Sequence, residues 1–355
     1  MKNASPHAGS MLFIDKVFLQ HMQEPLRGVE HFNLNLLHEM VDQGCSLTIA
    51  AERSWQSALQ PLEAQGATVL YIQGKEKKGF AILDALRLLT GHRFHHFLLG
   101  NVGNSLIPLI LWLTLTRAFQ RAVLIAHREA DRWFIRTWKF TGGTVVAVNG
   151  QIAGAFTGAG CAEVHVDYGI TRADRFFPAV SPPEAAPVRF IVLGDLDSAW
   201  KGADTALEAL SQLPPAYRGR AELHLVAYRR PPSATTQGVF AYPWLPLSEI
   251  PGLLRTMHVM ICPSRDEGKM METFSQAMVQ GMLSGLPVLA NNLPVLTEKL
   301  DAGGGLVFSD ATELSAHMTR MIDDPAMRSR LGGEARRTAL ARYVWSTERF
   351  LERYF

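Results

Sequence analysis

Short apolar runs alternate with helix-length segments along most of the chain, and this alternation constrains the fold more than any other feature. Clear examples are SLTIAA at residues 46–51, AVLIAH at 122–127 and RFIVLG at 189–194. Strands this apolar cannot leave one face in water, so the intervening helices must cover both faces. Strands that alternate with helices pair in parallel, and the pattern therefore predicts an α/β fold built on parallel sheets.

The alternation is interrupted at residues 176–188, where the stretch FFPAVSPPEAAPV contains four prolines. Proline lacks an amide hydrogen and breaks helices and strands, so this stretch predicts a domain boundary. A chain of 355 residues is long enough for two domains. We expect an N-terminal Rossmann-like domain over residues 1–178, a C-terminal one over residues 188–338, and a final helical segment over residues 339–355.

Composition narrows the class of protein. The net charge of +2 gives no sign of a nucleic-acid-binding protein. The three cysteines are widely spaced among apolar neighbours, which indicates reduced thiols in a cytoplasmic protein. The most apolar segment, SLIPLILWLTLT at residues 105–116, is shorter than the roughly 20 residues needed to cross a bilayer. We interpret it as a buried helix or strand, with a membrane-surface role as the alternative.

The stretch METFSQAMVQGMLSGLPVLA at residues 271–290 holds a carboxylate and an amide among small or apolar residues. Glu272 and Gln280 are eight positions apart, so on one continuous helix they would lie on the same stripe. Glu272 could instead cap the following helix, and Gln280 could be an exposed helix residue. The apolar neighbours of Gln280 indicate a buried turn in which an amide needs a partner. We therefore favour two contacts to one ligand.

This stretch resembles the signature of the family-4 retaining glycosyltransferases of the GT-B fold: glutamate, seven residues and a second glutamate, followed by Gly-x-Pro-Val. Here it runs from Glu272 to Gln280 and closes with GLPV at residues 285–288. The resemblance implies two Rossmann-like domains that face each other across a cleft, the N-terminal one for the acceptor and the C-terminal one for the donor. It also implies that the C-terminal helix within residues 339–355 crosses back to the N-terminal domain. It implies that Glu272 binds hydroxyls of a donor sugar, and that the backbone of the next three residues helps to hold sugar and diphosphate: Thr273, Phe274 and Ser275.

The second glutamate of the family binds the ribose, and Gln280 stands in its place. An amide oxygen can still accept a hydrogen bond from a hydroxyl, but without the strength that a negative charge adds.

A second stretch, VLGDLDSAWKGADTALEAL at residues 192–210, resembles the segment in which the family places an arginine and a lysine against the donor diphosphate. Lys201 with Gly202 matches the lysine, and an exposed lysine in a first helical turn is the alternative. Asp195 stands where the family has the arginine and would repel a phosphate. Either Lys201 acts with helix-terminus amides alone, or Asp195 contacts a hydroxyl or orients Lys201.

Three weaker candidates complete the predicted site. Gly28 opens a helix where the family often has two glycines close to the phosphates, although a plain turn residue is the alternative. His127 ends a strand where the resemblance places a histidine near sugar and acceptor; the alternative is a structural histidine. Glu267 and Lys269, in the loop before Glu272, either touch the ligand or are solvated charges.

The resemblance implies transfer of a sugar, with retention of configuration, from a nucleoside-diphosphate sugar to a hydroxyl of a saccharide or lipid-linked acceptor. The expected catalytic residues are Glu272, Lys201 and His127. We expect no cofactor besides the donor, and no metal at the diphosphate. No carboxylate stands out as a covalent nucleophile, so we favour a front-face attack in which the departing phosphate oxygen takes the acceptor proton. Bacterial surface polysaccharide or glycoconjugate synthesis is the setting that the resemblance suggests. The alternatives are a catalytically impaired ligand-binding relative and a nucleotide-sugar epimerase.

Basic residues in the N-terminal half raise the question of a membrane. Lysines at residues 75–78, the stretch GHRFHHF at 91–97, Arg117 and Arg121 would form a basic face flanked by aromatic residues. Such a face predicts peripheral contact of a cytoplasmic protein with an anionic inner membrane. An ordinary solvated surface is the alternative.

Overall fold

The computed structural model describes residues 9–23, 26, 28–72, 82–167, 171–179, 187–228, 237–268 and 272–355. It divides into two compact units. Unit 1 comprises Met1–Ile170 together with Ser346–Phe355, and unit 2 comprises Thr171–Trp345. Unit 1 thus ends at residue 170, eight residues before the predicted end of the N-terminal domain at residue 178. The segment that returns to unit 1 begins at Ser346, seven residues later than the predicted start at residue 339.

The described strands pair in parallel and form one sheet in each unit. The strands of unit 1 are β1 (Ser10–Ile14), β2 (Ser46–Glu52), β3 (Thr68–Ile72), β4 (His96–Leu99), β5 (Arg121–Ala126), β6 (Thr144–Ala147) and β7 (Val164–Val166). Those of unit 2 are β8 (Val188–Leu193), β9 (Ala221–Val226), β10 (Val239–Tyr242), β11 (Val259–Cys262), β12 (Val288–Asn291) and β13 (Gly305–Phe308). Their order is β3-β2-β1-β4-β5-β6-β7 in unit 1 and β10-β9-β8-β11-β12-β13 in unit 2.

Helices connect these strands as the alternation predicts. They are α1 (Gly28–Asp42), α2 (Gln56–Ala64), α3 (Ile82–Leu89), α4 (Ile107–Leu115), α5 (Arg132–Thr141), α6 (Gly150–Gly158), α7 (Ala203–Ser211), α8 (Pro215–Arg218), α9 (Ile250–Leu254), α10 (Gln276–Leu283), α11 (Pro294–Thr297), α12 (Ala311–Asp323), α13 (Pro325–Arg342) and α14 (Thr347–Tyr354). Single 3₁₀ turns occupy Arg53–Trp55, Asn104–Leu106, Ala199–Lys201 and Glu298–Leu300. The predicted α/β class with two Rossmann-like units is confirmed.

Each sheet is buried between its helices. In unit 1, Phe13 and Phe97 on the central strands and Trp138 on α5 have no exposed surface. In unit 2, Phe190 on β8 and Phe308 on β13 are equally buried, within a cluster that includes apolar side chains of α7 and α12. Apolar burial on both faces is the main stabilising term of such a sheet.

The most apolar segment of the sequence forms α4. Leu109, Ile110 and Leu113 are buried, whereas Leu115 is 71% exposed. The segment is therefore a core helix of unit 1 with one exposed apolar end. No helix among the described residues combines the length and apolarity needed to cross a bilayer.

Candidate functional site

Two predicted site residues, Lys201 and Glu272, follow neighbouring strands of unit 2. β8 and β11 are adjacent in the sheet, although β9 and β10 come between them in the chain. The connections that leave β8 and β11 therefore diverge, and in parallel sheets such a switch point is the usual ligand site. Lys201 ends the 3₁₀ turn that precedes α7, and Glu272 lies shortly before α10.

The Lys201 ammonium contacts the Glu272 carboxylate directly. Nζ lies 2.7 Å from Oε2, and the two side chains are only 17% and 10% exposed. The same oxygen accepts a hydrogen bond from Ser264 Oγ at 3.2 Å. Oε1 accepts one from the backbone N–H of Ser275 at 3.1 Å. Glu272 therefore satisfies an amide next to the start of α10, as the capping alternative proposed, while it also pairs with Lys201.

The charge of Glu272 results from opposing effects. Burial alone would raise the pKa of its carboxyl group, because desolvation disfavours the charged form. The positive charge of Lys201 and the hydrogen bonds from Lys201, Ser264 and Ser275 outweigh burial, so the pKa lies below its ordinary value. The Glu272 carboxylate can bind sugar hydroxyls, and the neighbouring Lys201 side chain can bind phosphate oxygens.

Gly202 fixes the turn that carries Lys201. Its φ of +72° is in the left-handed region that favours glycine. A Cβ there would lie 2.8 Å from the Pro263 carbonyl carbon and closer still to its oxygen. Arg265 donates two hydrogen bonds to this turn. The Arg265 backbone N–H donates to Trp200 O at 2.7 Å, and the Arg265 Nη2 donates to Ala199 O at 2.8 Å. The segments after β8 and β11 are thereby held together.

The stem of Lys201 is also enclosed. Its Nζ lies 4.2 Å from the centroid of the Trp200 ring, a distance at which the cation is attracted to the ring face. On the other side is Gly194, where a Cβ would come within 3.4 Å of Lys201 Cε. Lys201 is therefore not the exposed lysine of the alternative interpretation.

Asp195 is bound within its own turn. Its Oδ2 accepts a hydrogen bond from Ser198 Oγ at 3.1 Å, and its carbonyl oxygen accepts one from the Ser198 N–H at 3.0 Å. Among the described residues no hydrogen bond or ion pair joins Asp195 to Lys201. Its contact to Ser198 shapes the loop rather than orienting the lysine.

The residues after Glu272 include one unusual backbone conformation. Ser275 has φ 61° and ψ 69°, a left-handed conformation that is uncommon outside glycine and concentrated at functional sites. Phe274 is buried, and Thr273 is partly exposed. The left-handed turn directs the Ser275 amide at the Glu272 carboxylate.

Gln280 is buried on α10, not exposed. The structure contains no hydrogen bond from its side-chain amide to another described residue. Its predicted contact to a ribose stays a prediction. Glu267, by contrast, has a 44% exposed side chain 3.8 Å from Arg265 Nη2, as expected for a loop charge. Lys269 lies outside the described residues.

In unit 1, His127 follows β5 and is buried. Burial lowers its pKa to about 4, so the ring is neutral at physiological pH. The ring packs edge-on against Phe32 at 4.5 Å between centroids, and Nε2 has no hydrogen-bond partner among the described residues. Gly28 is the first residue of α1, and a Cβ there would meet nothing within 4 Å. The chain itself therefore does not require glycine at residue 28.

Sequence reasoning missed three polar contributors in unit 2. Ser264 donates to Glu272, and Asn291 Nδ2 donates to Ser264 O at 2.9 Å. Both residues lie at strand ends, which is the signal that could have identified them. Lys299 is a fully buried lysine whose ammonium faces the Phe274 ring. Its neighbours in the sequence include Thr297, Glu298 and Asp301, so Lys299 resembles an ordinary surface lysine there.

No cluster of three or more potential metal ligands occurs among the described residues. This observation does not test the prediction of metal independence. Asp195 and Asp197 have the Asp-x-Asp spacing that can hold a metal beside a diphosphate, so a chelator experiment is the direct test.

Residues 187–324, which include both Lys201 and Glu272, match the family model described as glycosyl transferases group 1. This part of the chain is therefore similar to the group 1 glycosyl transferases. A 172-residue segment is also 28% identical to the MMP alpha-(1->4)-mannosyltransferase of Mycolicibacterium hassiacum. That segment covers 45% of this chain and only 40% of the mannosyltransferase.

Solved structures extend the likeness beyond the glycosyl transferase domain to the whole chain. HepE of Anabaena, in complex with UDP and glucose, superposes with a TM-score of 0.70 over 97% of each chain at 16% identity. A glycosyltransferase of Rickettsia africae gives a TM-score of 0.73 over 97% of each chain at 15% identity. At such low identity the likeness shows the fold alone, and that fold is GT-B.

Proposed function

We propose that the protein is a retaining glycosyltransferase that moves a sugar from a nucleoside-diphosphate sugar to an acceptor hydroxyl. One observation carries the proposal: Lys201 and Glu272 follow adjacent strands at a switch point, and their charged groups lie 2.7 Å apart. One nucleotide sugar can therefore reach both groups. The complexes of HepE with UDP and glucose support a donor of this class.

In the proposed reaction, Lys201 turns from Glu272 to the donor diphosphate and stabilises the negative charge of the leaving group. Glu272 then accepts hydrogen bonds from sugar hydroxyls and fixes the anomeric carbon relative to the acceptor. Backbone amides near the start of α10 add positive potential at the phosphates. The leaving phosphate oxygen takes the acceptor proton in a front-face attack, which retains the anomeric configuration and needs no covalent nucleophile.

We propose that unit 1 recognises the acceptor. His127 offers a neutral ring at the end of β5, and its Nε2 has no hydrogen-bond partner among the described residues. Gly28 keeps its proposed place close to the donor phosphates, where a Cβ would meet nothing within 4 Å. A saccharide or a lipid-linked saccharide in bacterial surface polysaccharide or glycoconjugate synthesis is the acceptor that the sequence resemblance suggests.

Peripheral contact of this cytoplasmic protein with an anionic membrane is part of the proposal. Trp133 and Phe140 on α5 are each 58% exposed, and the guanidinium groups of Arg132 and Arg136 lie over the Trp133 ring at 5.5 and 5.3 Å. Exposed aromatic rings beside arginines suit the interface of an anionic bilayer. Residues 75–78, which first suggested this contact, lie outside the described residues.

The test is incubation of the purified protein with UDP-glucose, UDP-galactose, UDP-N-acetylglucosamine and GDP-mannose, followed by measurement of released nucleoside diphosphate. We expect slow hydrolysis of one donor, unchanged by EDTA and reduced at least about 100-fold by Glu272→Gln, since the transition state loses a charged contact. The matched control is Glu249→Gln, an exposed glutamate of the same unit, which should hydrolyse as the unmodified protein does.

Three results would contradict the proposal. Near-normal turnover by Glu272→Gln would remove its central residue. Conversion of a donor to its epimer without acceptor, seen by NMR, would establish the epimerase alternative. Binding of a donor without any turnover would identify a ligand-binding relative.

A further inference from the structure

Lys299 is a charged side chain that the proposed mechanism does not use, and it has no exposed surface. It lies in the 3₁₀ turn after α11. Its ammonium donates to Val295 O at 2.8 Å and lies 3.3 Å from Glu298 Oε1. The Glu298 carboxylate is 40% exposed, so solvent weakens this pair. Burial of an ammonium is costly unless the charge is compensated, so its position requires a reason.

The surroundings of Lys299 connect it to the candidate active site. Its Nζ lies 4.9 Å from the centroid of the Phe274 ring and 5.4 Å from that of Tyr343. Phe274 is two residues from Glu272, and the Lys299 ammonium interacts electrostatically with the Glu272 carboxylate. Burial lowers the pKa of Lys299, although the nearby Glu298 and Glu272 carboxylates partly oppose this effect.

The two lysines near Glu272 differ in burial. Lys201 is partly exposed and contacts Glu272 directly, and donor binding under the proposed function draws it toward the diphosphate. Glu272 would then lose its closest counter-charge while still largely buried. Lys299 cannot follow, because it has no exposed surface and its ammonium is bound to a backbone carbonyl.

We propose that Lys299 is a positioning residue for sugar transfer. When Lys201 engages the donor, Lys299 is the fixed counter-charge that keeps Glu272 ionised, and its contact to Phe274 holds the turn before α10. This inference rests on the proposed function. Among the described residues, the titratable groups that interact electrostatically with Glu272 are Lys201, Lys299 and Cys262. Burial raises the pKa of the Cys262 thiol to about 12, so it stays neutral.

The first test measures the affinity for UDP and for the donor selected by the panel above, by calorimetry at pH 7.5 and 5.5. Lys299→Met removes the charge and keeps a long side chain. We expect about tenfold weaker binding at pH 7.5 and a smaller loss at pH 5.5, where Glu272 can take up a proton. Lys299→Arg, which keeps the charge, should restore most of the affinity. In a Glu272→Gln background, Lys299→Met should change affinity by less than about twofold.

A merely structural role gives a different pattern. Equal losses with and without the Glu272 carboxylate, or equal losses at both pH values, would overturn the proposal, as would unchanged affinity in Lys299→Met. If Lys299→Met does not fold, Phe274→Leu removes the ring that the ammonium faces. It should weaken donor binding, and normal binding by that variant would count against the proposed contact.

A ligand-free experiment separates this inference from the proposed function. Lys201→Met imitates the withdrawal of Lys201. In Lys201→Met/Lys299→Met the pKa of Glu272 should rise above its unfolded value, so the thermal midpoint should fall as pH rises from 5 to 8. Lys201→Met alone should show a weaker fall. Identical pH dependence of the two variants would refute the counter-charge even if no donor is ever found.

Discussion

Gly202 offers the sharpest test of how the candidate active site is assembled, because it joins the segments after β8 and β11. We consider the substitution Gly202→Ala. The new methyl group would lie 2.8 Å from the Pro263 carbonyl carbon and closer to its oxygen, at a φ of +72°. Neither backbone can retreat easily, because the Arg265 N–H is bound to Trp200 O across the same junction.

The expected loss of stability has two parts. A left-handed conformation costs a residue with a Cβ roughly 1–2 kcal/mol, and the collision with Pro263 should add about 1–3 kcal/mol, the usual penalty of overpacking. Gly268→Ala is the matched control, because its φ is +74° in the same unit and a Cβ would meet nothing within 4 Å. We therefore expect Gly268→Ala to lose only about 1–2 kcal/mol.

Urea unfolding, monitored by tryptophan fluorescence, compares the free energies of unfolding of the two variants. The affinity for UDP reports on the geometry of the candidate site. Gly202→Ala should also bind UDP about tenfold more weakly, since displacement of the turn moves Lys201 away from the phosphates. Equal stability losses in the two variants would refute the close approach to Pro263. A full loss of stability with unchanged UDP binding would show that the turn does not position Lys201.

Two further predictions concern buried polar groups. The pKa of His127 is about 4 in the folded protein against about 6.5 unfolded, so the unfolded state takes up a proton first on acidification. The free energy of unfolding should therefore fall by roughly 3 kcal/mol between pH 7 and pH 4. Urea titrations should show a smaller fall in His127→Phe. An equal pH dependence of the unfolding free energy in the variant and the unmodified protein would contradict the buried neutral ring. Gln280→Glu places an unpaired carboxylate on α10 and should lower stability by about 1–3 kcal/mol without ligand. The same variant should bind UDP roughly fivefold more tightly if residue 280 grips the ribose, because a charged acceptor is stronger; unchanged affinity in calorimetry would exclude that contact.

The fold was largely predictable because buried parallel strands leave a strong signal. The runs at residues 46–51, 122–127 and 189–194 became β2, β5 and β8. The two strands that were missed are weakly patterned. β7 has only three residues, none of them buried, and the outermost strand of unit 2, β10, is partly exposed along its length. A strand with little burial has no reason to carry a continuous apolar run.

The candidate active site was predictable only in part. Lys201 and Glu272 could be placed because the stretches around them resemble the family signature and the family's Lys-Gly segment. Their direct contact was not foreseen, since it depends on the order β8-β11, which sequence alone does not fix. Lys299 is distant from both in the chain and reaches the site through tertiary packing alone.

The contact between Lys201 and Glu272 bears on which ligands can bind at all. In this structure each charge neutralises the other, and both are largely buried. A ligand with a phosphate but no sugar would attract Lys201 and leave Glu272 with Lys299 as its remaining counter-charge. A free sugar would engage Glu272 without giving Lys201 an anion. Since breaking a buried pair is costly when one partner is left uncompensated, an intact nucleotide sugar is the ligand class that satisfies both groups at once.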